Sequence, residues 1–107
     1  MAKFDDILDE IKVGIAQLGK KTAKDFVDEV RKDGDAFLRE IGADLERWTD
    51  LLARKKISAK EFRVLVEFNR DLAQMKALTA SGLAKKKVQT LANGIVDLVT
   101  KTVLKLV

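Results

Sequence analysis

Apolar residues recur at steps of three and four along most of this chain. The first series, Phe4, Leu8, Ile11, Ile15 and Leu18 with Ile7 beside it, fits one face of a helix over residues 3–18. Asp5, Asp6, Asp9 and Glu10 fall in its first turns, where carboxylates interact favourably with the positive end of the helix dipole. Gly19 offers a stop, and Thr22 with Asp25 three residues on resembles a weak capping box that would open the next helix. Leu18, Thr22 and Phe26 nonetheless keep one phase across this break.

From Phe26 the face continues through Val30, Gly34, Phe37, Ile41, Leu45, Trp48 and Leu52, which predicts a second helix over residues 22–55. Gly34 lies on the apolar side, where its missing Cβ would let a neighbour approach closely. At this spacing Trp48 belongs to the core rather than to a binding surface. The clearest local signal follows in Ile57-Ser58-Ala59-Lys60-Glu61-Phe62. Ser58 and Glu61 stand as N-cap and N3, and Ile57 and Phe62 as a hydrophobic staple around them. Arg54, Lys55 and Lys56 sit at the end of the preceding helix, where the dipole favours cations. A tight turn at 55–58 predicts an antiparallel helical hairpin.

Phe62, Leu65, Phe68, Leu72 and Met75, widened by Val64, Val66 and Leu78, predict a third helix over residues 59–79. Thr79-Ala80-Ser81-Gly82 lowers helical propensity and places a turn or kink at 80–83, with Ser81 available to cap a new start. The last helix, over 84–106, is apolar round most of its circumference and leaves Thr90, Asn93, Asp97, Lys101 and Lys105 as its polar line. Such a helix needs cover from a bundle, a subunit interface or a membrane. The expected fold is all-α: an elongated bundle of three or four helices with a central antiparallel hairpin, forming one domain over residues 1–107.

Composition narrows the chemistry. The chain has no histidine, cysteine, proline or tyrosine. It therefore lacks the usual general base, the thiolate nucleophile and the commonest zinc ligands. Its carboxylate clusters, Asp25, Asp28 and Glu29 or Glu40 and Asp44, lie on the polar side of an amphipathic face, where solvation is the usual role. Asp33-Gly34-Asp35 lacks the ordered ligand positions of a calcium loop. No enzyme activity, metal, cofactor or small-molecule substrate is expected.

Charge is divided along the chain. Residues 1–50 hold nine Lys/Arg against thirteen Asp/Glu, and residues 51–107 hold twelve against four, giving −4 and +8. Halves of opposite sign attract each other, within a chain or between subunits. The start, MAKFDDILDE, lacks the basic and apolar regions of a secretory signal, so a cytoplasmic location is expected.

These features lead to a non-enzymatic scaffold or protein-interaction module, self-associating or binding another helical protein through the C-terminal helix. The expected interface residues are Leu91, Ile95, Leu98, Val99, Val103 and Leu106. The runner-up is a membrane-surface protein, since Lys85, Lys86 and Lys87 precede the apolar helix and Lys101 and Lys105 follow within it. Nucleic-acid binding through Arg54, Lys55, Lys56, Lys60, Arg63 and the Lys85–Lys87 run is disfavoured, because cations at helix ends compensate dipoles and a basic patch reads no sequence.

Overall fold

The hydrophobic periodicity is realised as helices almost throughout. The computed structural model describes residues 3–69 and 75–107. Among these residues there are five α-helices and no strand: α1 (Phe4–Thr22), α2 (Val27–Ala53), α3 (Ala59–Phe68), α4 (Lys76–Ala80) and α5 (Lys85–Leu106), with a 3-10 turn at Lys24–Phe26.

Gly19 does not stop the first helix. α1 continues to Thr22, and the Ala23 N–H closes it by donating to the Gly19 carbonyl at 2.8 Å. No Thr22–Asp25 capping box forms, because the chain reverses within Ala23 and the 3-10 turn, which carries no side-chain cap. Glycine serves packing at this position: a Cβ on Gly19 would stand 3.2 Å from Val30 Cβ. The same device recurs with the roles exchanged, since a Cβ on Gly34 would meet Ile15 Cγ2 at 2.8 Å. A second reciprocal pair joins α1 to α5, where a Cβ on Gly14 would stand 2.9 Å from Leu98 and one on Gly94 3.0 Å from Leu18. In each pair one residue number rises as the other falls. α1 therefore runs antiparallel to both α2 and α5, and those two run parallel to each other.

α1 lies between its two long neighbours and supplies the middle of the core. Ile7, Ile11 and Ile15 meet Val30, Phe37, Ile41 and Leu45 from α2 and Leu91, Ile95, Val99 and Val103 from α5, none of them more than 1% exposed. Trp48 is buried with them, as its spacing predicted. α3 covers α5 and α2 with Phe62 and Val66, and α4 covers α2 and α5 with Leu78.

The expected third helix over 59–79 is not continuous. α3 ends at Phe68, where the Asn69 side-chain amide donates to the Leu65 carbonyl at 2.9 Å. α4 starts after Met75, whose φ is 50°. Residues 70–74, Leu72 included, lie outside the described residues. A tertiary contact accompanies the break. Asp33 on α2 accepts the N–H groups of Ala77 and Leu78, each at 2.9 Å, and a continuous helix would commit both to its own carbonyls. The turn expected at 80–83 is present, with Gly82 at φ 86°. Ser81 serves the end of α4 rather than the start of α5: its hydroxyl donates to the Leu78 carbonyl at 2.6 Å, and Ala84 precedes α5 without a side-chain cap.

The molecule is compact and about twice as long as it is wide, at 42 × 23 × 19 Å. The radius of gyration is 13.5 Å, close to the roughly 13 Å of a globular domain of about 100 residues. Its longest dimension, 42 Å, is close to the length of α2 alone, about 40 Å at 1.5 Å per residue. Among the described residues no helix is long and apolar enough to cross a membrane.

Candidate interaction surface

The turn between α2 and α3 is built by local chemistry. α2 closes with the Lys56 N–H donating to the Leu51 carbonyl at 2.8 Å and the Lys55 N–H to Leu52 at 3.0 Å. This is the paired pattern of a Schellman end, and Lys55 takes the left-handed position at φ 61° that glycine usually fills. α3 then opens on the predicted capping box: the Glu61 N–H donates to Ser58 Oγ at 3.1 Å and the Ser58 N–H to Glu61 Oε1 at 2.9 Å.

This start fixes which way each side of α3 points. Phe62 and Val66 turn inward and are fully buried. Val64 and Phe68 lie on the opposite side and remain 42% and 79% exposed. Ile57, Lys60, Glu61, Val64 and Leu65 line a shallow, almost wholly apolar groove of about 500 Å³. Lys60 and Glu67 are exposed on one flank of this stripe, and neither has an ion-pair partner among the described residues. Arg63, further round, stands 3.9 Å from Asp97 on α5.

The residues expected to form an interface on α5 are placed differently. Leu91, Ile95, Val99 and Val103 are 0% exposed inside the chain's own core, and Leu98 and Leu106 are half-buried. The need for outside cover disappears because α1, α2, α3 and α4 together enclose the apolar side of α5. Its polar line faces outward, with Lys101 paired to Asp97 at 2.9 Å.

The basic residues do not form one patch. Lys85–Lys87 begin α5, whereas Ala53 and Val107, at the ends of α2 and α5, line one cleft near Arg54. Arg54 is thus separated from Lys85–Lys87 by the length of α5, roughly 30 Å at 1.5 Å per residue, and Arg63, beside Asp97, by about half of that. The acidic residues do not converge either: Asp25, Asp28 and Glu40 are exposed, and no acidic group among the described residues is arranged to hold a metal. Asp33 is the exception in burial, and α4 occupies it. The cleft at the start of α1, about 300 Å³, holds Lys3, Glu46 and Asp50 beside Thr49, whose buried hydroxyl has no hydrogen-bond partner among the described residues.

The outward stripe on α3 departs from the expectation that Phe62, Leu65 and Phe68 share one face, since Phe62 is buried and Phe68 exposed. A signal was present. Steps of three lag the helical period, so Phe62 and Phe68 lie about 120° apart around the axis. Comparison with known protein families, curated proteins and solved structures finds no match to this chain.

Proposed function

We propose that the chain is a non-enzymatic helical interaction module that binds protein through the outer face of α3. The observation that carries this reading is Phe68, left 79% exposed in line with Val64 and an apolar groove. Burying a large apolar side chain is worth about 1.5–3 kcal/mol, so a partner that covers Phe68 and Val64 gains directly from contact. Clustered apolar exposure of this kind marks interaction sites, whereas single exposed residues do not. The absence of histidine, cysteine and tyrosine supports a binding role over a catalytic one.

Crosslinking tests the reading. A photoreactive amino acid incorporated at position 64 of the full chain is expected to capture protein in cells, and to lose that capture when Phe68→Asp is added. The same group at position 13 serves as the control, since Val13 is 56% exposed but stands alone on α1. Absence of protein adducts at position 64, or adducts to lipid only, overturns the proposal.

A further inference from the structure

We infer that the occupant of the α3 face is a second copy of this chain, docked antiparallel about a twofold axis beside Val64. This rests on the reading of α3 as a protein-binding face and names its partner.

Lys60 and Glu67 are seven residues apart, which places them about 20° from each other around the helix axis, on the same flank of the stripe. In an antiparallel twofold pair, like flanks face each other with the sequence reversed. An axis midway between Lys60 and Glu67 brings each Lys60 to the Glu67 of the other copy, twice per dimer. The same axis sets the two Val64 side chains together at the centre. It also lays the exposed Phe68 of each copy over the apolar groove between Ile57 and Val64 of the other.

Two further charged residues lie beside this axis. Glu61, on the opposite flank, is held by its hydrogen bond to the Ser58 N–H. Arg63, level with the axis, faces its own counterpart, and Asp97 of its own chain, 3.9 Å away, is already paired with Lys101 at 2.9 Å, so the two arginines work against the pairing and limit its strength. The dipoles of the two helices also oppose, which favours antiparallel pairing. A ten-residue helix offers less area than the roughly 1,200 Å² of a stable standard interface, so the dimer is expected to be weak and concentration-dependent.

Sedimentation over a concentration series, with charge-reversed variants, tests the geometry. Lys60→Glu and Glu67→Lys are each expected to raise the dissociation constant about tenfold, because both reciprocal pairs become repulsive. An equimolar mixture of the two single variants should recover association, since the mixed dimer restores opposite charges at both pairs. The double variant should also recover it. Association insensitive to these reversals, or a mixture no tighter than its components, overturns the antiparallel pairing. A wild-type chain that stays monomeric at every concentration overturns self-docking altogether. In that case protein adducts from position 64 to a different chain would leave the interaction reading of α3 standing, and their absence would remove both.

Discussion

At Asp33 one carboxylate accepts two backbone N–H groups from a segment more than forty residues away. With the residue only 6% exposed, removing the acceptor leaves the Ala77 and Leu78 donors without their partner. Asp33→Ala is expected to cost about 1–3 kcal/mol of unfolding free energy in denaturant titration, with Asp33→Asn costing less because one acceptor oxygen remains. A loss below 0.5 kcal/mol, roughly that of an ordinary surface change, would show that α4 does not depend on this contact. Ser58 and Glu61 make a useful contrast. Both of their bonds close within three residues, and so the motif was readable directly from the chain. The role of Asp33 was not: its place three residues after Val30 and four before Phe37 sets it at the edge of the apolar face, but nothing near it in the chain names its partner.

Among the helices, period was legible and partnership was not. The long series in α1 and α2 keep one phase, and their buried isoleucines, valines and leucines stand in those series, Leu38 excepted. Helix ends were less so, because Gly19, a stop by local rules, is retained inside α1 for the sake of Val30. Two glycines within α2 separate these roles. Gly34→Ala forces a Cβ to within 2.8 Å of Ile15 and is expected to destabilise the chain, with overpacking typically costing about 1–3 kcal/mol. Gly42→Ala meets nothing within 4 Å and should stabilise it by roughly 0.5–1 kcal/mol through helix propensity. Thermal or denaturant unfolding of both variants checks the pair. Equal shifts of the same sign would mean that the α1–α2 contact is not set by the missing Cβ.

Considered as a whole, the molecule inverts the outlook that the apolar count of α5 invites. That count shows that the helix needs cover, but which surfaces supply it depends on α1 lying between α2 and α5 and on α3 and α4 closing the flank. Val99 illustrates the consequence: as an interface residue its change to Asp would spare helicity, whereas at 0% exposure in the core it should unfold the chain. Phe68, by contrast, should tolerate Asp without loss of structure. The most direct measurement follows the solution mass and helical content of the wild type and Phe68→Asp together through dilution. The wild type is expected to fall to monomer mass with its helicity unchanged, and Phe68→Asp to be an equally helical monomer throughout. Helicity lost as the mass falls would contradict this, because α5 would then be covered by a second chain rather than by its own.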